Sequence, residues 1–237
     1  MQSMDYYCQY KNDLKNMLSS LEYEDSKDNN QFYKKFSQII KSQFILMLYT
    51  TLESIVMTSI QDIFDDINQK QYNFYHLTNK LKQIYIKFNV KHKERHFNEI
   101  IYNNDFMDIF NRIERKETVN IELFNEENKE NPFSAGSLDY SSIYENILKK
   151  FDITIDREKF NKYSNRIKRN ILKDIENIKN YRNQLAHGEK TFEEIGKTIT
   201  ISDLKKYFCS WIIFLREYLK SIQSYINKQG YMLVQAA

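Results

Sequence analysis

Glycine and proline are scarce in this chain, which has four glycines and one proline, Pro132, among 237 residues. Folds rich in β-strands need many tight turns, and these two residue types commonly provide them. Their scarcity therefore predicts an all-α bundle with long central helices and at most a minor short β-hairpin.

Cysteine is also rare, since Cys8 and Cys209 are the two thiols of the chain. Two cysteines imply no disulfide framework, and neither has a histidine nearby in sequence to activate it as a nucleophile. A glycine-rich phosphate-binding loop is missing, which argues against an NTPase. The formal charge of +3 is too small to identify a nucleic-acid-binding protein by itself.

Long uninterrupted apolar runs are missing as well. The most apolar run, Phe44 to Tyr49, is too short to cross a bilayer, and its extension toward Ile60 carries Glu53 and several hydroxyl residues. The first residues lack the basic-then-apolar order of a signal peptide. We therefore expect a soluble, cytoplasmic protein.

Apolar residues recur at spacings of three and four over much of the chain, which is the helical period. Residues 117–138 interrupt this pattern, and short strands are predicted at Val119–Phe124 and Lys197–Ile201. One domain is expected over residues 1–237, with an insertion of unassigned role at about 71–136. The predicted helices cover about 5–24, 30–68, 74–88, 95–102, 104–115, from Ser137 or Asp139 to about 151, 156–187 and 202–227.

His92 and His96 are four residues apart and would share one helix face as a possible metal pair. No glutamate or cysteine stands at a known metalloenzyme spacing around them. The neighbouring Lys91, Lys93 and Arg95 favour a solvated basic face instead, or a contact with RNA phosphate. The sequence thus predicts neither a metal nor a cofactor.

The stretch with the most chemistry lies in residues 181–188, at the end of the predicted helix 156–187. Arg182 falls on the apolar seam of this helix, where a charge needs a partner or a polar cavity. His187 lies in the last turn, and Gly188 follows as a left-handed C-cap. A regular helix places Arg182 and His187 about 140° apart. They converge only if the helix unwinds or if two copies of the chain meet.

These residue types suit RNA transesterification. His187 is the candidate general acid or base for a ribose 2′-hydroxyl, which then attacks the adjacent phosphate. Arg182 would hold that phosphate with two hydrogen bonds, and Asn183 would position a phosphate oxygen or the histidine. Lys179 lies in a run of basic residues on the motif helix, and Lys190 is close to the end of that helix. Both are candidate RNA-binding residues. The simpler interpretation is that Arg182 pairs with an acid such as Glu53 and that His187 only caps the helix.

The motif resembles the Arg-x(4–6)-His signature of the HEPN superfamily (higher eukaryotes and prokaryotes nucleotide-binding). The pair Leu52-Glu53 resembles the family's second helix. Residues 137–153 are similar to the segment that precedes the motif helix in a stand-alone bacterial branch, the MAE type, and Phe192 and the entry to the last helix at Thr200–Leu204 fit that branch as well.

This resemblance implies a helical bundle that dimerises, so that two Arg-His pairs face one cleft. It further implies metal-independent RNase activity that leaves a 2′,3′-cyclic phosphate, in a toxin or an antiphage or abortive-infection effector, and possible pairing with an antitoxin or defence protein. Arg182 and His187 match the catalytic pair, and Asn183 matches its polar position. Two alternatives stay open. One is a catalytically silent HEPN subunit that binds RNA, nucleotide or a protein partner, and the other is a helical interaction protein with an accidental motif.

Overall fold

The protein is a bundle of helices in which two long helices each contribute more buried hydrophobic residues than any other element described. The computed structural model describes residues 1–25, 31–89, 104–121, 123, 133, 137–167 and 169–233. The helices are α1 (Gln2–Asp25), α2 (Gln31–Gln69), α3 (Asn79–Asn89), α4 (Asn104–Glu114), α5 (Tyr140–Phe151, with a π-helical turn at Tyr144–Leu148), α6 (Arg157–Ile167), α7 (Ile171–Ala186), α8 (Phe192–Thr198) and α9 (Ile201–Asn227).

Helix α2 is the centre of the bundle, packing against α1, α7, α8 and α9. Its stretch Phe32–Gln69 is long and apolar enough to cross a membrane by length and composition, with a mean hydropathy of 1.3 over the relevant window. Half of that window is buried, which the packing of four helices around it explains. Trp211 of α9 is fully buried and donates its indole N–H to the carbonyl of Leu48 at 2.9 Å.

The apolar stripe predicted on the last helix is buried along its whole length, so α9 faces the core as expected. Its members are Leu204, Phe208, Trp211, Leu215, Tyr218, Ile222 and Tyr225.

Helix α8 lies very close to α2, and Gly196 is the reason this is possible. A Cβ atom on Gly196 would come within 1.8 Å of the carbonyl oxygen of Gln38. The Ser42 hydroxyl on the same side of α2 donates to the carbonyl of Phe192 at 2.5 Å. Helix α8 therefore docks on α2 directly after the loop that carries His187.

The long helix predicted at 156–187 is wrong, because the structure divides it into α6 and α7. Asp156 caps the first as expected, its carboxylate accepting from the Glu158 N–H at 3.0 Å. Asn170 then caps α7, its side chain accepting from the Lys173 N–H. The spacing of Ile167, Ile171 and Ile175 continues the helical period across the break and hides it. Residue 168 lies outside the described residues.

The predicted strands are also wrong where the structure describes them. Instead of pairing with a strand, Ile121 exchanges two hydrogen bonds of 2.9 Å with the side chain of Asn68. The other predicted strand, Lys197–Ile201, contains the end of α8 and the start of α9. Thr200 forms a capping box with Asp203 and starts α9. In the described residues β-pairing is confined to isolated bridges, so the expected hairpin does not form there.

The predicted insertion at 71–136 is described only in part. Leu77, Leu81, Ile84 and Ile109 join the same hydrophobic core as the long helices. The predicted helix at 95–102 and the residues 91–96, with His92 and His96, lie outside the described residues. Glu122 and Phe124 of the predicted strand also lie outside them.

Candidate active site

The candidate site lies at the C-terminal end of α7, where this helix crosses α2. Three buried residues, Ile171, Ile175 and Ile178, hold α7 against the core, and Arg182 comes one turn later on the same side. Its guanidinium carbon is 4.8 Å from the centre of the Tyr49 ring of α2, a cation–π contact. The predicted seam position of Arg182 is thus confirmed as a half-buried place over an aromatic ring.

Arg182 is held by few polar contacts. Its Nη1 donates to Asn183 Oδ1 at 3.2 Å. Among the described residues, Glu53 forms no ion pair with Arg182, although it lies one turn along α2 from Tyr49. The pairing with Glu53 considered from the sequence is therefore wrong, and within the described residues most N–H groups of Arg182 donate to no protein acceptor.

Tyr49 is itself fixed in place. Its side chain is 1% exposed, and its hydroxyl accepts the backbone N–H of Leu138 at 2.9 Å. Burial raises the pKa of Tyr49, with Glu53 adding to the rise and the Leu138 N–H, Arg182 and Lys179 opposing it. The ring under the arginine is therefore neutral at physiological pH.

His187 is exposed at the C-cap of α7. Gly188 has a φ of 68°, as predicted for a left-handed cap. The Glu189 N–H reaches the Gln184 carbonyl at 2.9 Å and the Gly188 N–H reaches the Leu185 carbonyl at 3.2 Å, which together form a Schellman motif. This closure ends the helix directly behind His187, so the imidazole projects from a defined corner into solvent.

Lys179 and Lys190, predicted to bind RNA, have different surroundings. Lys179 forms an ion pair with Asp139, the N-cap of α5, and its side chain is 20% exposed. The Lys179 charge is therefore neutralised within the fold, which argues against the predicted RNA contact. Lys190 is exposed just beyond Gly188 and stays a candidate.

The electrostatics of Asp139 follow from the same contact. Burial raises the pKa of this carboxyl, but hydrogen bonds from Lys179 and Ser142 outweigh that effect and the net pKa is below its ordinary value of 3.8. Asp139 is thus ionised at neutral pH, and the turn that carries it is tied to α7.

The structure brings Arg182 and Asn183 together but joins neither to His187 in one chain. No hydrogen bond links the His187 side chain to Arg182 or Asn183 in the described part of the chain. Tyr49 was missed by the sequence reasoning because it sits in an apolar run and reads as core. A hint was its position one turn before Glu53, in the segment that resembles the family's second helix.

The chain matches the family model described as HEPN_MAE_28990-like HEPN over residues 8–231, which is nearly its whole length. It belongs to this HEPN family. No curated protein and no solved structure matches the chain.

Membership of the HEPN family indicates an RNase-type or nucleotide-binding function and agrees with the all-α bundle. Within the described residues, no group of three or more histidine, cysteine, aspartate or glutamate side chains is placed to hold a metal ion. What the site offers instead is a cation with open N–H groups, an amide and an exposed imidazole.

Proposed function

We propose that this HEPN protein is a metal-independent endoribonuclease with Arg182 and His187 as its working pair. His187 takes the proton of a ribose 2′-hydroxyl, and that oxygen attacks the adjacent phosphorus. The bond from phosphorus to the 5′-oxygen breaks, this oxygen takes a proton from water, and a 2′,3′-cyclic phosphate and a 5′-hydroxyl result. Arg182 stabilises the charge on the phosphate oxygens, and Asn183 orients Arg182.

The observation that supports this proposal is the set of contacts that the Arg182 guanidinium makes. A half-buried arginine normally has a carboxylate partner, because burying an unpaired charge is costly. Arg182 has a tyrosine face and one amide oxygen instead, within the described residues. A phosphate is the ligand that its remaining N–H groups fit best.

The working form is proposed to be a homodimer with a composite site. Arg182 and His187 diverge by about 140° around α7, so one chain does not point both at one phosphate. Next to Tyr49 on α2, the residues Gln43, Met47 and Thr50 form an exposed line at helical spacing, with Met47 36% exposed. We propose that a second copy covers this line and supplies its own His187 to the Arg182 of the first copy.

The proposed biological setting is a cytoplasmic toxin or antiphage effector. RNA cleavage without a metal cofactor stops translation as soon as the enzyme is released from control, which suits abortive infection. Expression in bacteria should then arrest growth for the wild type and not for the His187→Ala variant.

The direct test is cleavage of total bacterial RNA by purified protein in EDTA, with wild type, His187→Ala and Arg182→Ala side by side. Cutting by the wild type alone, with cyclic-phosphate ends, supports the proposal. Equal cutting by all three assigns the activity to a contaminant. Binding of RNA without cutting by any of them favours the alternative, a catalytically silent HEPN subunit in a larger complex.

A further inference from the structure

The contact between Tyr49 and Arg182 is unusual in what it leaves open. A carboxylate partner takes the N–H edge of a guanidinium, usually with two hydrogen bonds. An aromatic ring takes the face and leaves the edge open. Of the five N–H groups of Arg182, the described residues engage the one that donates to Asn183.

Tyr49 is also held in place through its hydroxyl group. The Leu138 N–H donates to its hydroxyl, and the next residue, Asp139, forms the ion pair with Lys179 on α7. Lys179 lies three residues before Arg182, one turn along the same helix. The turn at 138–139 therefore ties the ring on α2 and the helix of Arg182 to each other.

We infer that Tyr49 is the positioning residue of this site: its ring fixes the plane of the Arg182 guanidinium and leaves the N–H edge free for a phosphate. The identity of the phosphate as RNA rests on the proposed function, whereas the positioning does not. The hydroxyl steadies the ring through Leu138, and the ring itself is the part that orients the arginine.

Three variants separate these roles. Tyr49→Phe keeps the ring and loses the bond to Leu138, and Tyr49→Leu removes the ring. Phe44→Leu is the matched control, since Phe44 is a fully buried aromatic of the same helix that packs edge-on against Phe208 at 6.2 Å. It removes a buried ring of similar size without touching Arg182.

The first readout needs no RNA. Protons held over a ring face shift upfield in NMR, so the Arg182 Nε–H signal, assigned with Arg182→Lys, should lie upfield in wild type. We expect the same position in Tyr49→Phe and Phe44→Leu, and a return to the ordinary arginine position in Tyr49→Leu. Arg169 and Arg216, which lie over Tyr207 and Tyr163, serve as internal references that should not move.

The second readout is RNA cleavage. Tyr49→Leu should lower kcat/KM about tenfold, between the scales of an exposed and a fully desolvated cation–π contact. Tyr49→Phe and Phe44→Leu should stay within about twofold to threefold of wild type. Rescue by the phenyl ring is the feature that a merely structural role of Tyr49 would not produce.

Either of two results would overturn the inference: an Arg182 signal that does not move in Tyr49→Leu, or equal loss of cleavage in Tyr49→Leu and Phe44→Leu. If the wild type cuts no RNA, the proposed function fails by itself. The NMR comparison still decides whether Tyr49 positions Arg182.

Discussion

An arginine lies over a tyrosine ring near each end of α7, but the two arginines differ in their other contacts. At the N-terminal side, Arg169 lies 4.8 Å from the Tyr207 ring centre, and near the C-terminal end Arg182 lies 4.8 Å from that of Tyr49. Arg169 also donates from Nε to Asp174 at 2.5 Å, and Asp174 accepts the Ser210 hydroxyl on the same oxygen. Arg182 has no such carboxylate among the described residues.

The difference shows that a stacked arginine does not by itself mark a site. Asp174 is 5% exposed and Arg169 22%, so the first pair is closed and structural. Burial lowers the pKa of Arg169, but the hydrogen bond from it to Asp174 outweighs that effect and the net pKa is raised. What makes Arg182 a candidate for chemistry is that no carboxylate among the described residues takes its N–H groups, although its side chain is half-buried.

The largest effect should come from Arg182→Ala on activity. Removing a group that stabilises developing phosphate charge typically costs about 10²–10³ in rate. The free energy of unfolding should change by less than about 1 kcal/mol, because Arg182 has no carboxylate partner among the described residues. RNA cleavage and urea unfolding of the same preparation measure both. An Arg182→Ala protein that lost stability and kept its RNA cleavage would show that Arg182, like Arg169, has a structural role.

The next effect is on stability, in Asp174→Ala. Breaking a buried ion pair costs about 3–5 kcal/mol, and the partial exposure of Arg169 reduces this to about 2 kcal/mol. Ser210 also loses its acceptor. Urea unfolding measures the change, with Lys173→Ala, on the exposed side of the same turn, as control. Cleavage measured well below the unfolding transition should be retained.

A smaller effect is expected from the two caps of α7. Gly188→Ala should cost about 1 kcal/mol, since its φ of 68° strains a side chain and nothing lies within 4 Å of the added methyl group. Asn170→Ala should cost a similar ~1 kcal/mol through the lost cap. Thermal unfolding compares the two. Only Gly188→Ala should also lower cleavage, because it disturbs the corner that presents His187.

The smallest effect is a pH dependence at Asp139. Its pKa is lowered in the folded protein, so its pairing with Lys179 stabilises the fold above about pH 4 and is lost as the pH falls through the folded pKa. Wild type should therefore exceed Asp139→Asn in Tm at pH 7, and the gap should shrink below pH ~4. A gap that stays constant down to acid pH would show that the charge of Asp139 contributes nothing.

Local signals predicted much of the fold and part of the site. The helical period located the long helices, and the buried stripe of α9 was read from its spacing. Capping residues placed the ends of several helices, including Gly188 behind His187. Two local signals misled in this region: the isoleucine spacing runs through the cap at Asn170 and hides it, and the strand predicted at Lys197–Ile201 overlaps the Thr200 capping box that starts α9.

The amino-acid sequence by itself determined that the chain is helical, that a buried seam carries Arg182, and that a glycine ends the helix next to His187. Helical periodicity and capping residues act within one or two helical turns, so they can be recognised in the sequence without the tertiary structure. Only the tertiary structure decided that Tyr49 lies under Arg182, that Asp139 takes Lys179, and that Glu53 does not pair with the arginine. Those contacts join residues far apart in the chain, and their geometry depends on how α2, α5 and α7 pack.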